Sequence, residues 1–281
     1  MNRSRWLSDM LDNRQSNAVF WPIEHKSQLS LEHLEKQPFW RNPTHFHDCD
    51  QLSVVVRGGA RVFIGNRFIS LYPGFGVVIP NGVIHHVETT DDTTLLTAYF
   101  DHAPFSLPRS LPIGIAVSKL LELCLKAFSS TKTSEVSRLD ALATVISSEV
   151  LISLKRPMAN SVGLPSDPRV ATIVQAVIQD PANDLSREDW AKEVGASART
   201  IDRIFCAECG VSFQSWKRQI VVQAAIKGLA KGQPVQCVAY DLGYDSDSAF
   251  IRMFKGITGR TPGDFQTLAR QRIRDLSPQH S

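Results

Sequence analysis

Val235–Phe265, VQCVAYDLGYDSDSAFIRMFKGITGRTPGDF, is the stretch on which the architecture turns. Val235–Leu242 follows Gln233-Pro234 and reads as a short helix, since a proline suits the start of a first turn. Gly243-Tyr244-Asp245 reads as a turn. Ser246–Ile257 reads as a second helix that carries Phe250 and Phe254, four apart, on its inner face. Asp247, Ser248 and Arg252 are left to face outward. Two short helices joined by a tight glycine-bearing turn predict a helix-turn-helix unit.

The pattern has a counterpart upstream, in Leu185–Trp216, LSREDWAKEVGASARTIDRIFCAECGVSFQSW. Ser186 is a suitable N-cap for a helix over Arg187–Val194, and Glu188 and Asp189 complement its positive end. Gly195 stops that helix. Ser197 can cap a second one, Ala198–Cys209, which Gly210 ends. Ile201, Ile204 and Phe205 share one face, and Arg199, Thr200 and Arg203 lie on or beside the opposite one. Arginines so placed near the start of a recognition helix can reach guanine O6 and N7 in a major groove. Between the two units, SWKRQIVVQAAIKGLAKG reads as one long helix that sets their spacing. Cys206 and Cys209 form a CxxC, but inside a helix and without a second Cys/His pair at zinc-ligand spacing, so it reads as ordinary helix surface and core.

These strings resemble the C-terminal domain of the AraC/XylS transcription regulators, which has two helix-turn-helix units joined by a long helix. The matching residues are Ala191 with Gly195, Ser197-x-Arg199-Thr200-Ile201-x-Arg203-x-Phe205, Gly210, Ser212 and Trp216. The second unit matches at Val238-Ala239, Leu242-Gly243-Tyr244, Ser246-x-Ser248-x-Phe250, Phe254-Lys255 and Gly259-x-Thr261-Pro262. The resemblance covers about Asp167–Gln266. It implies a DNA-contacting set of Arg199, Thr200, Asp202 and Arg203 in the first unit and Asp247, Ser248 and Arg252 in the second. Asp202 and Asp247 depart from it: an acidic side chain accepts from cytosine N4 but repels phosphate.

The first half has a different texture. LSVVV (52–56), ARVFIG (60–65), RFISL (67–71), FGVVI (75–79), IHHVET (84–89) and TLLTAYF (94–100) are short β-rich runs separated by Gly, Pro and Asn turns. That spacing predicts a β-sandwich or barrel. His45 and His47, two apart, point to one side of a strand, and Gln51 keeps their parity. His85 follows in Pro80-x-Gly82-x-x-His85. Three imidazoles and an amide converging in a barrel suit a divalent transition metal such as Fe, Mn, Ni or Zn.

These strings resemble the two cupin motifs, with Gln51 where a glutamate is usual and Phe39 where a glycine is usual. A cupin-like barrel ahead of this DNA-binding domain is a common AraC-family arrangement, and it implies a small-molecule sensor pocket. His45, His47, Gln51 and His85 are then either polar groups of a metal-free effector pocket or candidate metal ligands. His86, of opposite parity to His85, is expected at the surface.

Helical periodicity is expected from about Ile115, with Val117, Leu120, Leu121 and Cys124 as one stripe and Leu139, Leu142, Val145, Ile146 and Val150 as another. Pro157–Pro168, PMANSVGLPSDP, reads as a linker. The expected fold is α+β multidomain: a cupin-like barrel with an N-terminal arm (1–112), a helical relay or dimerisation segment (113–156), the linker (157–168) and an all-α DNA-binding domain with two helix-turn-helix units (169–281).

Composition limits the function classes. Hydrophobic residues make up 43% and charged residues 21%, ordinary for a globular protein. No apolar run approaches the roughly 20 residues of a membrane helix. The polar start, MNRSRWLSDMLDNRQ, has no secretory h-region, and five cysteines make no disulfide framework, so a cytoplasmic location is expected. Net charge is +1 over residues 1–164 and +2 over 165–281, so DNA binding must rest on local placement of Arg and Lys. The expected function is a one-component, sequence-specific DNA-binding transcription regulator with no catalytic residues. Its expected partners are double-stranded DNA, a small-molecule effector, RNA polymerase and a second copy of the chain. The alternative is a metal-dependent cupin enzyme, a dioxygenase or isomerase carrying a DNA-binding domain. The histidine set motivates it and Gln51 counts against it.

Overall fold

The computed structural model describes residues 18–23, 29–101, 112–155 and 161–267. The polar N-terminal stretch and residues 157–160 of the linker reading lie outside the described residues. The chain forms two compact units, one holding the described residues up to 155 apart from Asn66–Phe68, and the other holding those three residues and the described residues from 161 on.

The first unit contains β1 (Val19–Phe20), β2 (Leu29–Lys36), β3 (His45–Phe46), β4 (Asp50–Arg57), β5 (Ala60–Ile64), β6 (Arg67–Leu71), β7 (Phe75–Ile79), β8 (His86–Thr89), β9 (Thr93–Phe100) and β10 (Ile113–Ala116). Two helices follow, α1 (Lys119–Ser130) and α2 (Val136–Leu154). One sheet has the order β10-β7-β4-β9-β2, and a second contains β6-β5-β8. Side chains alternate across each strand, so the larger sheet builds two cores. Val55, Val77, Ile79 and Leu95 face Val62, Ile69, Leu71 and Val87 of the smaller sheet. Leu52, Val54, Val78, Leu96 and Ala98 point the other way, against Leu121, Leu125 and Phe128 of α1 and Ile146 and Val150 of α2. Burial on both faces explains why β4 and β9 read as nearly continuous apolar runs.

Two readings of this half need correction. Ile113–Ala116 is not helical but an edge strand antiparallel to β7, with Ile113 opposite Val78 and Ile115 opposite Gly76. The helix begins at Lys119, where the Ser118 side chain accepts the Leu121 amide at 3.0 Å. Its buried stripe is therefore Leu121, Cys124, Leu125 and Phe128, and Leu120 is 51% exposed. His86 is buried rather than at the surface: its ring stacks on Phe63 at 4.7 Å, and its Nε2 lies 3.6 Å from Glu88.

The second unit starts with a short strand, β11 (Ser161–Gly163), and a 3-10 turn, Pro168–Val170. Its helices are α3 (Ala171–Gln179), α4 (Arg187–Glu193), α5 (Ala198–Cys209), α6 (Phe213–Ala230), α7 (Val235–Asp241) and α8 (Asp247–Thr258). Ser161–Pro165, within the segment read as linker, packs into this unit. The Trp216 indole donates to the Gly163 carbonyl at 2.7 Å, and a side chain on Gly163 would meet Cys209 at 2.9 Å. Buried Phe205, Phe213 and Trp216 centre the α5–α6 junction, with Phe205 5.3 Å from Phe213 and 4.9 Å from Trp216. Phe250 and Phe254, 5.8 Å apart, centre the last helix, with Tyr244 and Phe265 against them.

Candidate functional site

Two places in the molecule carry chemistry that packing alone does not require. The first lies in the strand unit. His45 and His85 face each other across a bridge, each backbone amide donating to the other's carbonyl at 2.9 Å. That pairing puts both rings on one side, 4.3 Å apart. The turn at Pro80–Val83 is held against the β3–β4 segment. The Gly82 amide donates to the His47 carbonyl at 2.9 Å, and the Asn81 amide donates to Asp50 Oδ1 at 2.8 Å. Gly82 sits at φ +75°, a conformation L side chains avoid. The His47 ring completes the group, 4.8 Å from His45 and 5.5 Å from His85.

The protonation state of all three rings follows from their partners. Nδ1 of His45 lies 2.8 Å from the Pro43 carbonyl, that of His47 2.8 Å from the Trp21 carbonyl, and that of His85 2.9 Å from the Val83 carbonyl. A carbonyl only accepts, so each Nδ1 carries the proton and each Nε2 keeps its lone pair. Burial disfavours the imidazolium form. It lowers His45 to about 4 and His85 to about 3, and it lowers His47 as well. The rings are neutral at physiological pH. Nε2 of His47 and of His85 is buried with no hydrogen-bond partner, as is Gln51 Oε1. One ligand atom from each histidine lies within 4.8 Å of the others.

The floor of this site is a polar stripe. Gln51 lies opposite Tyr99, and Ser53 opposite Thr97, on the inward side of β4 and β9. Gln51 Nε2 donates to Ser53 Oγ at 2.9 Å, which leaves its carbonyl oxygen unspent. The Tyr99 ring packs 5.1 Å from His47 and donates its hydroxyl to Glu32 at 3.2 Å. Trp21, next to β1, lays its ring edge-on to His45 at 5.1 Å. Ser53, Thr97, Tyr99 and Trp21 were not singled out from the sequence. The β4–β9 register was the signal for the first three, because position 51 fixes which residues share its face.

The second place is the surface of the helical unit. α4 begins with a capping box: Ser186 Oγ accepts the Asp189 amide at 3.1 Å, and the Ser186 amide donates to the Asp189 carboxylate. Ser197 caps α5 by accepting the Thr200 amide at 3.1 Å. The two inter-helix turns are built alike. The Ala196 amide donates to the Ala191 carbonyl at 2.9 Å, and the Tyr244 amide to the Ala239 carbonyl at 3.0 Å. Gly195 and Gly243 take φ +64° and +78° in those turns. Both pairs are thus helix-turn-helix units, joined by α6.

The expected contact residues separate into two groups. Arg199, Arg203, Ser248 and Arg252 are exposed on α5 and α8. Thr200 and Asp247 are half-buried, and the Thr200 hydroxyl is 2.9 Å from Ser197 Oγ. Asp202 is half-buried as well, and its carboxylate is engaged within the unit. Its carboxylate pairs with Arg187 of α4, and Oδ1 accepts the first amide of α6, that of Phe213, at 3.1 Å. It braces three helices.

A family model described as a helix-turn-helix domain matches residues 190–267. The chain is 28% identical over 240 residues to the HTH-type transcriptional regulator NimR of Escherichia coli K12, covering 85% of each protein. It is 23% identical over 265 residues to the RCS-specific HTH-type transcriptional activator RclR of the same organism, covering 85% of this chain and 91% of the relative. It is 24% identical over 140 residues to the E. coli arabinose operon regulatory protein, covering 49% of this chain and 48% of the relative. The chain carries a helix-turn-helix domain and is similar over most of its length to helix-turn-helix transcription regulators. As a helix-turn-helix transcription regulator it is a DNA-binding protein, and Arg199, Arg203, Ser248 and Arg252 are its outward-facing candidates on the two second helices. Among the described residues no helix is long and apolar enough to cross a membrane.

Proposed function

We propose that this helix-turn-helix regulator reads two successive major-groove segments with α5 and α8, and that the histidine cage of the strand unit is its sensor site. The observation that carries the sensor reading is the set of three neutral imidazoles. Their Nδ1 protons are spent on backbone carbonyls, and two of the Nε2 lone pairs are buried without a partner. Leaving a buried polar atom unpaired costs about 1–3 kcal/mol, so such a cluster implies an occupant.

The donor set fits a divalent transition metal. Imidazole nitrogens oriented by a second hydrogen bond are the usual arrangement around such ions. His45, His47 and His85 would hold the ion and Gln51 would offer a neutral oxygen. The ion would supply Lewis acidity toward an effector's oxygen or nitrogen atoms. No carboxylate joins the three histidines in the donor cluster among the described residues. A neutral ligand set favours exchangeable occupancy and sensing over a permanent centre. Ser53, Thr97 and Tyr99 would line the effector's remaining surface.

Effector binding would act through different affinities for two arrangements of the chain. Leu120, Leu123 and Ile152, all about half exposed on α1 and α2, support self-association through these helices. The reading is of a sensor and not an enzyme.

The test is metal analysis and co-purified small-molecule mass spectrometry of the full chain, followed by effector titration before and after chelation. Loss of effector response on chelation, restored by adding the metal back, supports the metal-bearing site. A His47→Ala chain with an unchanged effector response would refute the cage as sensor.

A further inference from the structure

The helical unit holds a cleft of about 740 Å³ that the contact residues above do not explain. One wall is α6, where Gln214, Lys217, Arg218 and Val221 fall at i, i+3, i+4 and i+7 and so share one face. The opposite wall is α8, where Arg252, Met253 and Gly256 form the matching stripe. The loop before α4 closes one end. There the Ala182 carbonyl lies 3.5 Å from where a side chain on Gly243 would begin. The cleft therefore lies between the lead-in to the first helix-turn-helix unit and the recognition helix of the second.

Its cations differ from the paired arginines of the unit in having no ion-pair partner among the described residues. Arg169 and Arg187 are paired with Asp167, Glu188 and Asp202. Among the described residues, no carboxylate comes within ion-pair distance of Lys217, Arg218 or Arg252. The acidic groups that face Lys217 at longer range are Asp184, on the cleft wall, and Asp180. The Asp180 carboxylate already accepts the Ala182 amide at 3.1 Å. Lys217 is half-buried, and burial lowers its pKa, so an anion entering the cleft would relieve a cation that is poorly hydrated. Gly256 leaves open space on the α8 wall, where a Cβ would meet nothing within 4 Å.

We infer that this cleft seats the phosphodiester backbone of the duplex where it passes between the two recognition helices, with Lys217 and Arg218 neutralising phosphates there. The inference rests on the reading of α5 and α8 as major-groove readers. Two such helices on one face of a duplex sit about one helical turn apart, and between them a sugar–phosphate strand has to cross the protein. A cleft with three cations against one wall carboxylate is shaped and charged for that strand. Arg252 lies where the cleft meets the recognition surface, so it joins backbone positioning to base reading. Lys217 and Arg218 are positioning residues: they should set affinity and register without choosing bases.

The experiment uses the full chain and the duplex that the wild-type chain enriches from a random pool. Binding is measured across a KCl series for wild type, Lys217→Gln, Arg218→Gln, the double variant and Lys217→Arg. Each phosphate contact contributes about 0.9 to the slope of log K against log salt. The double variant should show a slope shallower by about 1.8 and a binding constant reduced roughly tenfold at low salt, with an unchanged base-preference profile. Lys217→Arg should keep the wild-type slope. Phosphate ethylation between the two half-sites should block wild type and no longer discriminate in the double variant. An unchanged slope in a double variant whose circular dichroism and melting match wild type overturns the inference, as does a changed base preference at any position. A wild-type chain that enriches no duplex overturns the duplex reading itself, and this inference with it.

Discussion

The two helix-turn-helix units share a turn but are held together differently. The first is braced by polar groups: the Ser186/Asp189 capping box, the Ser197 cap, and Asp202 bridging Arg187 and the Phe213 amide. The second has none of these. Neither Pro234 nor Ser246 makes a side-chain cap bond at the start of α7 or α8. Its order comes from Tyr244, Phe250, Phe254 and Phe265 packed ring against ring. The same backbone motif thus has an aromatic core at both ends of α6, but side-chain caps start its helices at one end only. The first unit presents Arg199 and Arg203 from a helix whose start is pinned. The second presents Ser248 and Arg252 from a helix whose start has no side-chain cap.

The largest expected effect breaks the second unit through its core. Phe254→Ala removes a fully buried ring and should cost about 3–5 kcal/mol, read by urea unfolding of the full chain. Hydrogen exchange should show α7 and α8 losing protection first. Equal loss in α4 and α5 would mean the units are not separately stabilised. Asp202→Ala should cost about 1–2 kcal/mol, because the Phe213 amide loses its acceptor at the start of α6. Protection should fall at the α4–α5–α6 junction and not in α8. Ser186→Ala removes one half of the capping box and should cost about 1 kcal/mol, visible as fraying of α4. Ser246→Ala probes the uncapped start of α8. With no cap bond to lose, it should change stability by less than about 0.5 kcal/mol. A cost at Ser246 matching that at Ser186 would show that α8 is capped after all.

Most of the helical unit was legible because its signals are local. Ser186, Ser197, Gly195 and Gly210 mark helix ends by their own chemistry, and α4 and α5 end within a residue of the boundaries read from them. The bracing role of Asp202 was not legible because its position on α5 says nothing of Arg187 and Phe213, which reach it only once the three helices pack. The strand unit was legible where alternation or apolar runs were strong, as in β4, β7 and β9. β2 was missed because Leu29–Lys36 carries Glu32, His33 and Glu35 on an exposed edge strand and resembles a polar loop. β10 was read as helix because the apolar Ile113–Val117 runs straight into the periodicity of α1, and only pairing with β7 separates them. His85 and His86 show the limit of parity. It placed them on opposite sides of the strand, but it could not show that Phe63 and Glu88 cover the second side.

In the proposed function α5 and α8 read one duplex together, each with its own arginine. Binding-site selection from a random pool with wild type, Arg203→Ala and Arg252→Ala tests it directly. Each variant should lose preference at a different base pair, the two lying about 10 base pairs apart, with affinity for the wild-type site lowered by about 1–3 kcal/mol in each. Identical preferences in all three proteins, or loss at the same base pair in both variants, would contradict it.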